Sequence, residues 1–268
     1  MTEIKPLIIG NLVRLDGKDI KGIMVRLVNT PGVLAKVLSI LAKYRVNILA
    51  VNFPEIVASG EKGTLFIIAS FMKSDYRRIE SEIHSLEFVE DVKIKDPQIG
   101  NLLVDLYHFP IVDIEGKRLL IFTENDMESL VVHLKKCFKE GGLAFLYHQG
   151  LLTGLLLADV YKKWEIQDLR VALYVNFLRA HALGRYRAEI LNYIRKRDTI
   201  KIRIKAYDMW ECTIAKKYGI KEHSCYFERG VIAGIIESYL NKRVKLKEEK
   251  CIAVGNSHCL FTASTSDI

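Results

Sequence analysis

The chain has 268 residues, half of them hydrophobic and 27% charged, with a formal net charge of +8 and five cysteines. That much apolar material excludes a disordered chain, and the length allows two domains with separate cores. The odd cysteine count argues against a secreted disulfide framework, and residues 1–22 carry no apolar stretch with a small-residue cleavage site, so a reducing cytoplasm is expected.

In chain order, GIMVRLV (22–28) reads as an apolar strand that ends at Asn29-Thr30-Pro31-Gly32. Asn or Thr before proline is a good helix entry, with Pro31 where its missing N–H costs nothing. The following helix places Val33, Val37, Ile40, Leu41 and Tyr44 along one side. A second strand is expected over 46–56 and a third over 63–71, joined by the polar turn ASGEKG. An amphipathic helix over 75–86 turns Tyr76, Ile79, Ile83 and Leu86 inward, and 87–96 closes as a fourth strand.

The order βαββαβ is the ferredoxin-like split arrangement. With its strand–TPG–helix opening and Val46-Asn47-Ile48 after the first helix, the stretch 20–97 resembles an ACT domain. The resemblance implies a regulatory module that binds an amino acid or similar effector between paired domains. Asn29, Gly32 and Val33 would line one side of that site, and Asn47 of the neighbour the other. Helix-start N–H groups favour a carboxylate, and a side-chain amide accepts from an ammonium. Leu27 stands where serine-sensing members carry a histidine, which argues against serine.

The turn residues DPQIGN (96–101) place a domain boundary at 100/101. Beyond it, 102–123 reads as a β-hairpin with Glu115-Gly116 at the tip. Helices are expected over 125–139, through 160, and over 167–182. Strands follow at 186–194 and 200–207, then helices near 209–217 and over 227–240, then two closing strands. Residues 141–160 are apolar enough to need checking as a membrane span, but His148, Gln149 and Asp159 interrupt them. The expected reading is a buried core helix, with Gly150 and Gly154 marking close helix packing.

Most of the positive charge lies in this half: residues 1–100 hold 14 basic and 12 acidic groups, and 101–268 hold 26 and 20. In RKRDTIKIRIK (195–205), Lys201, Arg203 and Lys205 alternate with Ile202 and Ile204, the mark of a strand with one solvated basic face. Such a face can meet nucleic acid, as can Lys242, Arg243, Lys245 and Lys247, but no aromatic residues interleave with the 201–205 cations.

Near the C-terminus, Cys225 precedes Glu248 by 23 residues, and Cys251 and Cys259 follow. Thiolates with one carboxylate suit a tetrahedral zinc closed to water. Glu248 and Cys251 fit a strand end and its turn, Gly255-Asn256 reverses the chain, and Cys259 returns on the next strand. On spacing alone, ordinary buried thiols explain the cysteines equally well.

Gly184-Arg185-Tyr186-Arg187, KAYDMWECT, CYFERGVIAGIIESYLNKRV and KEEKCIAVGNSHCLFT follow one another in this half. With them, residues 103–264 resemble the 4-vinyl reductase domain of archaeal "hydrocarbon-binding" proteins and aromatic-sensing sigma-54 activators. That fold is shared with small TRAPP subunits and forms dimers through its helices. In the aromatic sensors three cysteines and a glutamate bind zinc, and the resemblance carries that set onto Cys225, Glu248, Cys251 and Cys259. Glu249 is the alternative carboxylate and Cys212 a substitute thiol; Lys247, Lys250 and His258 are expected to offset the site's charge. The resemblance also gives His181 the role of a histidine that holds an aromatic hydroxyl, with Tyr207 and Trp210 nearby to line a pocket. A helix-end histidine bonding carbonyls, and ordinary core packing of the two rings, account for the same residues.

The sequence therefore leads to an α+β chain with an ACT-like domain at 1–100 and a mixed α/β, 4-vinyl reductase-type domain with zinc at 101–268. The expected function is a cytoplasmic ligand sensor, homodimeric or larger, binding a small hydrophobic or aromatic molecule and, in the ACT half, an amino acid. Alternatives are a reductase acting on a vinyl group and a DNA-contacting regulator. The reductase would need a redox donor, and the chain shows no GxGxxG after a strand, no flavin motif and no nucleophile elbow.

Overall fold

In the computed structural model, which describes residues 6–7, 9, 12–14, 19–53, 57–71, 75–196 and 199–265, the chain divides into two units, Met1–Leu120 and Ile121–Ile268. The first unit runs β1 (Leu12–Arg14), β2 (Ile20–Val28), α1 (Val33–Lys43), β3 (Asn47–Asn52), β4 (Lys62–Ser70), α2 (Tyr76–His84), β5 (Val89–Lys95) and β6 (Leu102–Val104). Strands β2 to β5 form one antiparallel sheet in the order β3-β4-β2-β5. Alternation decides its two faces. Ile23, Val25, Leu27, Leu65 and Ile67 pack with Val37 and Leu41 of α1 and Ile79 and Ile83 of α2. Met24, Phe66 and Ile68 turn the other way and are covered by Leu103 of β6.

That second cover moves the boundary. Because β6 pairs with β1, the stretch after residue 100 stays with the first unit, which ends at Leu120 rather than at 100. The hairpin expected over 102–123 is reduced to a turn at 113–117 with the single bridge Val112↔Arg118, since Leu102–Val104 is already paired elsewhere. The entry to α1 also differs. Pro31 lies in a turn, and Gly32 at φ 91° precedes the helix without any side-chain cap. A left-handed turn there is cheap only for glycine. The last residues of the expected second strand, 54–56, lie outside the described residues, as do 197–198 of the basic run.

The second unit runs α3 (Glu124–Glu128), a π turn (Ser129–His133), α4 (Leu134–Lys163), α5 (Leu169–Ala182), β7 (Arg187–Lys196), β8 (Thr199–Tyr207), α6 (Trp210–Lys217), α7 (Phe227–Leu240), β9 (Val244–Lys250), a 3-10 turn (Ile252–Val254) and β10 (Cys259–Thr265). Its antiparallel sheet has the order β7-β8-β10-β9. Ile200, Ile202, Ile204, Leu246, Phe261 and Ala263 face the core, while Lys201, Arg203 and Lys205 face out as their alternation requires.

Helices α4 and α7 run parallel and touch through glycine. A Cβ on Gly150 would stand 2.0 Å from the Phe227 carbonyl oxygen, and one on Gly154 2.1 Å from that of Val231. Gly230 and Gly234 answer from α7, at 2.2 Å from the carbonyl oxygens of Tyr147 and Leu151. The packing role expected of Gly150 and Gly154 is what the structure has. The wholly buried core helix is not: by length and composition 124–163 could cross a membrane, yet only 28% of its most apolar window is buried, and Phe145, Leu152 and Leu156 face outward.

Candidate metal centre

Three chain reversals bring the cysteines together. Cys212 sits on α6, Cys225 just before α7, Glu248 near the end of β9, Cys251 after it, and Cys259 at the start of β10. The β9–β10 link closes on itself: Gly255 takes φ 97°, its N–H donates to the Ile252 carbonyl, and the Asn256 side chain accepts from the Cys251 N–H at 3.2 Å. The expected strand-end, turn and return are all present.

The five donor atoms lie within 4.8 Å of one another and every one of these residues is buried. Sulfur–sulfur distances are 3.3 Å for Cys251–Cys212, 3.6 Å for Cys259–Cys212 and 3.6 Å for Cys225–Cys259. The Cys212 and Cys225 sulfurs are in direct contact, their Cα atoms 6.1 Å apart. Thiolates held about 2.3 Å from a tetrahedral zinc stand about 3.8 Å apart, so the spacing of the cluster fits that ion. Soft sulfur donors with one carboxylate also select zinc over calcium or magnesium.

The cluster is built to carry negative charge. The Cys225 N–H donates to Glu248 Oε2 at 3.4 Å, and the Ile252 N–H to Cys259 Sγ at 3.5 Å. His223 Nδ1 lies 3.7 Å from Glu248 Oε2. Burial pushes the Glu248 carboxyl up to about 9, while the hydrogen bond from Cys259 brings the Cys251 thiol down to about 5. Metal binding displaces protons from such ligands. Charge relief comes from backbone N–H groups and His223, not from the expected cations: Lys247 and Lys250 are exposed, and His258 bonds Ser257. Cys212 enters as a fifth donor. Its distance in sequence hid it, since only the packing of α6 against the 3-10 turn brings it in.

A second polar cluster lies at the start of α7. Glu211 on α6 accepts from the N–H groups of Tyr226, Phe227 and Glu228 at 2.8–2.9 Å, capping a helix whose own first residues offer no side-chain cap. Burial raises its carboxyl to about 8, with the Glu228 charge adding to the effect. Glu228, fully buried, accepts from Trp210 Nε1 at 2.7 Å and from Arg185 Nε at 2.8 Å. The Gly184-Arg185-Tyr186 turn thus feeds a buried ion pair. A cavity of about 10 Å³, room for about one water, is lined by Leu143, Leu146, Glu211 and Tyr226.

The other expected site residues are not gathered in one place. His181 is exposed at the end of α5, where its carbonyl accepts from the Gly184 N–H. Tyr207 donates to Glu189 at 3.0 Å on the outward side of the sheet, and only Trp210 is tied to a buried partner. In the first unit, Asn29 Nδ2 donates to the Val57 carbonyl at 2.9 Å, Gly32 is exposed, and Val33 is buried. Asn47 lies at the other end of the sheet, opposite Ser70, which also pairs with Ile20 at the start of β2.

The stretch that holds all five donors can be compared with known families. Residues 206–265 match the 4-vinyl reductase domain. The uncharacterized protein MJ0855 of Methanocaldococcus jannaschii is 30% identical over an alignment that covers 36% of this chain and 54% of that protein. The chain thus spans about half the length of the curated relative it matches. Among solved structures, the phenol-responsive sensory domain of the transcription activator PoxR, crystallised with phenol, is similar with a TM-score of 0.52 at 15% identity. That likeness covers 56% of this chain and 78% of that one, and it speaks for the fold. A trafficking protein particle complex subunit 3 from Naegleria fowleri, covalently bound to palmitic acid, reaches a TM-score of 0.39 at 16% identity, covering 54% and 93%. The matched region begins at the end of β8 and includes α6, α7, β9 and β10, so the metal cluster, Glu211 and Glu228 all lie inside it.

Proposed function

We propose that the chain is a ligand-sensing regulatory protein whose second unit is a zinc-stabilised module for a small hydrophobic or aromatic molecule. One observation carries the reading: five buried donors converge within the region that matches the 4-vinyl reductase domain. Zinc would be held by Cys225, Glu248, Cys251 and Cys259, with Cys212 beside them. Four protein ligands leave no open position, so the ion is structural and ties the entry of α7 to β9 and β10. The PoxR domain is described as phenol-responsive, which supports an aromatic effector here.

Trp210 is the part of the expected aromatic site that this reading keeps at the ligand. The cavity lined by Leu143, Leu146 and Tyr226 is too small for a phenol, so binding would open it. The π turn before α4 and the non-helical Lys139 (φ 48°, ψ −132°) give the first turns of that helix a place to move.

In the first unit the reading is an ACT-like effector module. Asn29 and Asn47 mark opposite ends of the sheet, about 27 Å apart at the rise of an antiparallel strand, so a site using both draws on two subunits. A homodimer in a reducing cytoplasm follows from the same reading.

Native mass spectrometry of protein purified without denaturation, paired with melting curves over a panel of phenols, tests the proposal. One zinc per chain, lost in Cys251→Ser, and a melting shift with an aromatic compound are expected. Folded, metal-free protein removes the zinc site. A mass about two units low without reduction assigns Cys212 and Cys225 to a disulfide instead. Zinc without any shift across the panel leaves the module without its aromatic ligand.

A further inference from the structure

A cleft of about 480 Å³ lies along β9, lined by Tyr147 of α4, Arg229 of α7 and the run from Arg243 to Lys247. It contains four cations, Arg229, Arg243, Lys245 and Lys247, and none of them makes an ion pair among the described residues. Arg229 is held in place: its guanidinium lies over the ring of Tyr147 at 5.3 Å and over that of Tyr226 at 5.1 Å. Stacking fixes the plane of the group without using its N–H donors. The Nε of Arg229 is buried and has no hydrogen-bond partner. A buried donor left unpaired costs free energy, and an anion reaching it recovers that cost through a charge-assisted hydrogen bond.

From this geometry we propose that the cleft binds a small polyanion, a molecule carrying two or more closely spaced phosphate or carboxylate groups. Arg229 supplies the oriented fork, and Arg243, Lys245 and Lys247 supply charge around it. The volume suits a small molecule rather than a single ion. The nearby carboxylate, Glu237, is already engaged, accepting from the Val244 N–H at 3.1 Å. That bond also occupies the free edge of β9, the last strand of its sheet, which disfavours an extended peptide adding there. The site is separate from the metal cluster and does not depend on the aromatic-sensor reading.

The test is calorimetric titration of the full chain, purified in phosphate-free buffer, with inorganic pyrophosphate and citrate as separate probes and a random duplex DNA as a third. Saturable binding of one pyrophosphate or citrate per chain is expected, and the stronger of the two identifies the source class. Arg229→Gln should weaken binding at least about tenfold, as should the pair Lys245→Gln and Lys247→Gln, which leaves the stacked arginine in place. Lys216→Gln on α6 should bind as the parent does, and melting curves confirm that each variant is folded. No saturable binding of either small probe, equal binding by Arg229→Gln, or binding of duplex DNA alone would overturn the proposal.

Discussion

The glycine seam between α4 and α7 yields a prediction with opposite signs at two positions of one helix. A methyl group on Gly154 would stand 2.1 Å from the Val231 carbonyl oxygen and 3.0 Å from the Gly234 Cα, both backbone atoms that cannot rotate away. Reaching an ordinary contact near 3.4 Å needs about 1.3 Å of separation between the helices. A gap of that size forfeits a quarter to a half or more of the dispersion energy along the seam, and overpacking of this kind costs about 1–3 kcal/mol. The higher helix propensity of alanine returns about 1 kcal/mol, so Gly154→Ala should destabilise the unit by about 2 kcal/mol net. Gly141, in the same helix, has nothing within 4 Å of its Cβ position, so Gly141→Ala should stabilise by up to about 1 kcal/mol. Urea denaturation of both variants beside the parent measures the pair. A neutral or stabilising Gly154→Ala would refute the close approach of the two helices.

Three further outcomes are expected. Cys212→Ser should keep one zinc per chain by native mass spectrometry while Cys259→Ser loses it; loss in both moves Cys212 into the ligand set and displaces Glu248. Arg185→Met strips the fully buried Glu228 of its cation and should cost about 3–5 kcal/mol in denaturant unfolding, with Glu228→Gln added to the same chain recovering part of it. In the first unit, hydrogen bonds from Lys43 and then Tyr44 hold the Glu82 carboxyl below its usual range. The carboxylate's contribution is therefore present above its unfolded value near 4.5 and is lost as pH falls below it. Glu82→Gln should melt lower than the parent at pH 7, and the two curves should converge below about pH 4; a gap that persists in acid contradicts the assignment.

Periodicity by itself determined where most elements lie. Val33, Val37, Ile40 and Leu41 recur at helical spacing and form the buried side of α1, and Ile200, Ile202 and Ile204 alternate into the core as a half-buried strand must. The spacing Glu248, Cys251, Cys259 was enough to imply a strand end, a turn and a return, because a two-strand reversal has few solutions over so short a span. Contacts between distant segments left no such local trace. Nothing near Leu102 signals that it pairs with Arg14, so the boundary at 100 followed turn chemistry and missed the added cover on the sheet. Cys212 looked like an ordinary helix thiol until α6 packed against the 3-10 turn. Arg229 gave no sign in sequence of its seat between two tyrosine rings from different parts of the chain. Short-range order follows from the chain's own repeat, whereas a site assembled from four elements exists only once the core has fixed where each of them ends.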